Sequence, residues 1–82
     1  MPTIRWIGSV RFYFFSADRT EGPHIHVQKE RSFAEFWAKF WLEPVSLAGA
    51  SGWKPHELRR IERLVHAFAP QFLRSWHEFF RA

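Results

Sequence analysis

The apolar residues of this chain change their spacing once. Up to Val45 they recur mostly at every second position, and from Leu58 onward at every third or fourth. A period of two lays side chains on alternate faces of a strand, and a period near 3.6 lays them along one stripe of a helix. The first 45 residues therefore read as strands and the last 28 as helix. Thr3–Ile7 is a short extended stretch closed by Gly8-Ser9. In Val10–Phe15, Val10, Phe12 and Phe14 alternate with Arg11, Tyr13 and Phe15. Ser16–Pro23 has turn composition, His24–Val27 is a third strand, and Gln28–Ser32 is a charged turn. A long aromatic run, 33–45, contains a tandem quartet, Ala34-Glu35-Phe36-Trp37 then Ala38-Lys39-Phe40-Trp41. Four is even, so both copies keep one facing in a strand, but a period of four also fits a helix. The reading places a strand over 37–43 and leaves 33–36 open between the two.

After a loop over 46–54, Pro55 suits a first helical turn. Leu58, Ile61, Leu64, Val65 and Phe68 then form one stripe, and Phe72, Leu73, Trp76, Phe79 and Phe80 a second. Pro70 lies between them and is expected to break or kink the first helix and to start another. The expected architecture is ββββαα in a single domain over 1–82. It is an α+β fold, a small antiparallel sheet of three to four strands with two C-terminal helices packed on one face.

Composition narrows the functional classes. A chain of 82 residues buries only roughly 60–65% of its unfolded surface, which leaves room for one compact core. The 46% hydrophobic content excludes a disordered tail. There is no cysteine, which removes disulfides, thiolate metal sites and a thiol nucleophile, and favours a reducing cytoplasm. No run reaches the roughly 18 apolar residues that a membrane helix needs. Arg5 and Arg11 interrupt the N-terminal apolar runs, so no signal peptide is expected. The surplus is aromatic: ten Phe, five Trp and one Tyr make up 20% of the chain.

Alternation assigns the surplus. Val10, Phe12, Phe14, Ile25, Val27, Ala38, Phe40 and Leu42 share a face that the helices can cover. Arg11, Tyr13, Phe15, His24, His26, Lys39, Trp41 and Glu43 share the other. A face kept only for solubility would carry Thr, Ser, Lys and Glu, whereas this one mixes histidines, cations and rings. His24 and His26, at i,i+2, point the same way. With Arg11 and Lys39 they offer the base, acid and cations of a ribonuclease-like site. A third ligand such as Glu21 or Glu43 would instead turn the pair toward metal, and cross-strand cation–ring pairs also serve stability alone. Tyr13, Trp37, Trp41 and Glu43 are candidate binding residues. No cofactor and no metal is assigned. On the helix, Arg59, Arg60 and Arg63 can track phosphates, with Glu57 and Glu62 offsetting part of their charge. No phosphate-binding glycine loop, nucleophile elbow or zinc finger occurs.

Several blocks carry a resemblance. They are Met1-Pro2-Thr3-Ile4, Arg11-Phe12-Tyr13-Phe14-Phe15-Ser16, Glu21-Gly22-Pro23-His24-Ile25-His26-Val27, Ala38-Lys39-Phe40-Trp41-Leu42-Glu43-Pro44-Val45, Glu57-Leu58-Arg59-Arg60-Ile61 and Trp76-His77-Glu78-Phe79-Phe80. In order and spacing they resemble the bacterial family catalogued as domain of unknown function 4160. The resemblance implies a toxin-like component that pairs with a cognate small antitoxin-like protein, because such genes commonly sit beside a second small one. It implies no established activity. Two departures stand out: Gly22 replaces a usual second proline, and the extra quartet lengthens the hairpin before the A-K-F-W block.

Three functions follow as expectations. The first is a toxin-like partner of a small protein. The second is an RNA binder or ribonuclease using the Arg/His/Lys sheet face. The third, a DNA-binding regulator using the helical arginines, is weakened by the lack of a recognisable turn before a recognition helix. Pairing of two copies through the Phe33–Trp41 strand is expected if that strand forms a sheet edge.

Overall fold

The computed structural model describes residues 3–15, 20–30 and 36–80. These form strands β1 (Thr3–Ile7), β2 (Val10–Tyr13), β3 (His24–Lys29), β4 (Trp37–Leu42) and β5 (Val45–Ser51), followed by helix α1 (Pro55–Phe79). All neighbours are antiparallel and their spatial order is their chain order, so the sheet is a meander. The class is α+β with a helix on one face of the sheet, as expected, but there are five strands and one helix rather than four and two.

The additional strand is β5, which falls where a loop over 46–54 was expected. Its sequence, Val-Ser-Leu-Ala-Gly-Ala-Ser, is built largely of small residues with little strand preference and no alternation. Pairing with β4 supplies what propensity does not. Ala48 is extruded as a bulge, since Lys39 faces Gly49 while Phe40 faces Leu47. Gly49 lies under the Trp37 ring, where a Cβ would come within 3.1 Å of the ring. At the other end β4 stops at Leu42, and Glu43, expected in the strand, belongs to the turn with a cis Glu43–Pro44 bond.

β4 is hydrogen-bonded on both sides, to β3 and β5. It is not an edge, and pairing of two copies through the Phe33–Trp41 segment is corrected accordingly. The edges are β1 and β5, and each carries a bulge, the usual protection against edge-to-edge pairing. Residues 33–35, with Ala34 and Glu35 of the first quartet copy, lie outside the described residues.

The first hairpin is closed by Gly8-Ser9, with Ile7 opposite Val10 and Gly8 at φ +60°. A two-residue turn that matches strand twist needs positive φ at that position, which glycine alone reaches without strain.

The apolar face of the meander carries Phe12, Phe14, Ile25, Val27, Ala38, Phe40 and Leu42, all buried. Helix α1 covers it with Ile61, Val65, Ala69, Phe72 and Trp76. Those residues step by four, four, three and four, so the stripe passes Pro70 without losing phase. Pro70 itself is exposed, and the carbonyl of His66, left without its helical donor, belongs to an exposed residue that water can reach. A proline in a helix interior costs roughly 3 kcal/mol, which continuous burial of the stripe offsets. That is why one helix stands where two were expected. Phe12 stacks on Phe72 with centroids 5.3 Å apart, and Phe14 meets Trp76 edge-on at 5.3 Å. Arg5 lies 4.4 Å from the Phe68 ring centroid and ties β1 to the helix. Phe79, expected in the core, is exposed on the last turn.

The helix begins with Lys54 at the N-cap and Pro55 at the first position. Glu57 accepts the Lys54 backbone N–H at 2.9 Å, and Lys29 on β3 approaches the Glu57 carboxylate to 3.9 Å. That hydrogen bond, reinforced by the charges of Lys29, His56 and Lys54, holds Glu57 below its ordinary pKa of 4.5 against a smaller opposing effect of burial. A carboxyl with a depressed folded pKa adds stability above its unfolded value and loses it as pH falls through the folded one. Glu57→Gln is thus expected to lower the melting temperature at neutral pH. The difference from the wild type should close as the pH drops below about 4.5, which thermal melts across pH 2–7 will check.

Candidate functional site

The face opposite α1 gathers the chemistry. Cross-strand register sets Tyr13 beside His26, His26 beside Lys39, and His24 beside Trp41. From there the contacts run in one series. The Arg11 guanidinium lies 4.5 Å from the Tyr13 ring centroid and donates through Nε to Thr3 Oγ1 at 2.7 Å. Tyr13 stacks on His26 at 5.4 Å with planes 24° apart. Phe15 meets His26 edge-on at 4.7 Å, and His26 meets His24 edge-on at 5.0 Å. His24 meets Trp41 edge-on at 5.5 Å, and the Lys39 ammonium sits 4.7 Å from the Trp41 centroid. A cation thus stands at each end of a ladder of rings that crosses β2, β3 and β4 (Phe15 joins it from just beyond β2). Cation–ring pairs and edge-on rings are each favourable by about 0.5–1.5 kcal/mol.

Burial divides this ladder in a way alternation did not foresee. His24 is fully buried and Tyr13 is 7% exposed, whereas Phe15 and Trp37 are open at 37% and 39%. His24 is the first residue of β3, where the C-terminal half of α1 reaches the end of the sheet. Its ring lies 5.0 Å from Trp76 on one side and against Trp41 and His26 on the other. Its Nδ1 lies 2.9 Å from the Gly22 carbonyl, which can only accept, so Nδ1 carries a hydrogen and donates it. Nε2 then faces the Glu21 carboxylate at 3.7 Å. The same carboxylate oxygen accepts from Lys39 Nζ at 2.6 Å.

The structure therefore brings His24, His26 and Lys39 together and keeps Arg11 at the far end of the ladder, on Tyr13. The proposed four-residue catalytic set is split: Arg11 does not face the His24–Lys39 end. Glu43, in the β4–β5 turn, is exposed and is no part of the face. Glu21 entered the sequence reading only as a possible metal ligand, yet it joins His24 to Lys39. Its one sequence signal is its place three residues before His24 in a tight E-G-P-H turn. Among the described residues no three His, Cys, Asp or Glu side chains gather as a metal site.

The helical arginines diverge. Arg59 and Arg63 line a shallow groove with Glu62 and His66, where Glu62 and His66 approach to 3.8 Å. Arg60 lines a separate cleft with Lys29, Trp53 and Glu57. A single helix leaves no helix-turn-helix among the described residues.

Residues 9–77 match the profile of the family described as domain of unknown function (DUF4160). The chain belongs to that family. Comparison with curated proteins and with solved structures gives no match. Among the described residues no helix is long and apolar enough to cross a membrane.

The burial of His24 has a measurable consequence. Removing its ring from between Trp41 and Trp76 leaves a cavity, and His24→Ala is expected to destabilise the fold by about 2–4 kcal/mol. His26→Ala, at a half-buried position, should lose clearly less. Urea unfolding of both variants tests this, and equal losses would contradict the packing role of His24.

Proposed function

We propose that this member of the DUF4160 family binds single-stranded RNA on the open face of its sheet. The observation that carries the reading is the ladder from Arg11 through Tyr13, His26, His24 and Trp41 to Lys39. Single strands are held by aromatic side chains on which bases stack and by cations that follow the backbone, without a fixed base sequence. Phe15, Trp37, Trp41 and His26 are the rings of this face that solvent reaches, and Arg11 and Lys39 flank them. The net charge of +4 and a sequence pI of about 10.4 favour approach to a polyanion.

Fluorescence anisotropy of a labelled oligouridylate is the direct test. Phe15→Ala should weaken binding by about 5- to 150-fold, the equivalent of one stacked base. Arg11→Gln should weaken it more evenly and flatten the salt dependence by about 0.7 in the log–log slope, one phosphate contact on a single strand. Binding that neither variant alters would sink this reading.

A second reading, a toxin-like component seated on a cognate small protein, is favoured by large apolar side chains at the sheet margins. Trp6 is 51% exposed and Leu47 43%, on the two edge strands, and Trp37 stands beside β5. Exposed rings near sheet edges suit a protein partner. Co-expression with the product of the adjacent gene should give one co-eluting species that Trp37→Lys disrupts. Separate elution of the two would remove this reading.

A further inference from the structure

We propose that Lys39 and His24 form a phosphate subsite that the protein's own Glu21 occupies until a ligand displaces it. This rests on the RNA reading above and names the part of the face that would take a backbone phosphodiester. The Glu21 carboxylate is the anion now present. One of its oxygens accepts from Lys39 Nζ at 2.6 Å and stands 3.7 Å from His24 Nε2. Two features make the place a site rather than a surface ion pair. His24 is fully buried and is oriented from behind, through Nδ1–H donated to the Gly22 carbonyl, so Nε2 holds a fixed aim toward the anion and donates to it in the imidazolium form, where both ring nitrogens carry hydrogen. Lys39 is held over Trp41, which limits its freedom to follow Glu21 away.

Glu21, by contrast, is 45% exposed and lies in the turn before β3 rather than in the ladder of the sheet. Ion pairs made by half-exposed carboxylates contribute little, so displacement is cheap. A phosphodiester oxygen is a comparable acceptor for Lys39 and can present a second oxygen to the His24 ring in its imidazolium form. The neighbouring rings, Trp41 and His26, are then placed to meet the adjoining bases. Glu21 thereby acts as an internal competitor: it occupies the Lys39 ammonium in the free protein and lowers affinity for weak anions.

The test compares wild type, Glu21→Gln, Lys39→Gln and the double variant, with folding checked by circular dichroism and thermal melting. Against labelled oligouridylate, Glu21→Gln should bind roughly three- to tenfold more tightly, as expected from removing one competing surface charge. Lys39→Gln should bind more weakly and abolish the gain in the double variant. Unchanged or weaker binding by a folded Glu21→Gln, while wild type binds RNA, would overturn the subsite and leave the RNA reading intact. Inorganic phosphate, followed by the side-chain resonances of His24 and Lys39, separates the opposite case. Shifts at lower phosphate concentration in Glu21→Gln than in wild type, with no oligouridylate bound by any variant, would support the subsite and remove its RNA ligand. No phosphate-dependent shift in either protein and no gain with RNA would end the proposal.

Discussion

The structure depends on a division of the sheet into two faces with only one helix to cover them. Phe12 and Phe14 on β2 are matched by Phe72 and Trp76 on α1, and that pairing commits one face of every strand to the core. Once it is made, the alternation of side chains decides the rest, because a slip of one residue would exchange the two sets. Arg11, Tyr13, His26, Lys39 and Trp41 are presented together because their neighbours in sequence are buried. The composition of the open face is thus a consequence of core packing as much as a feature in its own right.

His24 shows where this division breaks down. By register it belongs with Trp41 on the open face, yet it is fully buried and touches Trp76 from the helix. It stands at the corner where the last turns of α1 reach the end of the meander, and there the two layers share a side chain. A polar ring suits such a corner. It fills volume against two indoles and still has a nitrogen for the Gly22 carbonyl. The histidine pair that looked uniform in the sequence therefore holds two different positions, one buried at the corner and one half-buried on the open face.

Much of this was legible in the sequence where side-chain patterns carry the information. The apolar face was read correctly residue by residue, from Val10 through Leu42, because on that face burial follows alternation. The helical stripe was also read, but its continuity was not. A proline suggests an end, and only the exposure of Pro70 and the unbroken phase from Ala69 to Phe72 show that a turn with one missing bond can stay wound. β5 was missed for the opposite reason, since its residues have almost no pattern of their own. It is a strand because β4 offers a free ladder and because Gly49 leaves room for Trp37. Glu21 was undervalued because a turn residue has no period from which to infer its partner.

The aromatic surplus is divided by the same two faces. A core this small uses Phe12, Phe14, Phe40, Phe72 and Trp76 and then has no more interior to fill. The remaining rings can lie against water only where something offsets their exposure. On the open face that offset is local: Arg11 covers Tyr13, Lys39 covers Trp41, and the histidines pack edge-on between them. Each such pair is worth little by itself, and the series holds because the sheet fixes the spacing of every member. A surface stabilised this way is already arranged as a stack with charges at its ends. A planar, anionic ligand would find its stacking partners and countercharges in place, with little conformational freedom left to lose on binding. Trp6 and Leu47 lie at the margins, on the two edge strands and outside that series, so the offset that the ladder supplies does not extend to them.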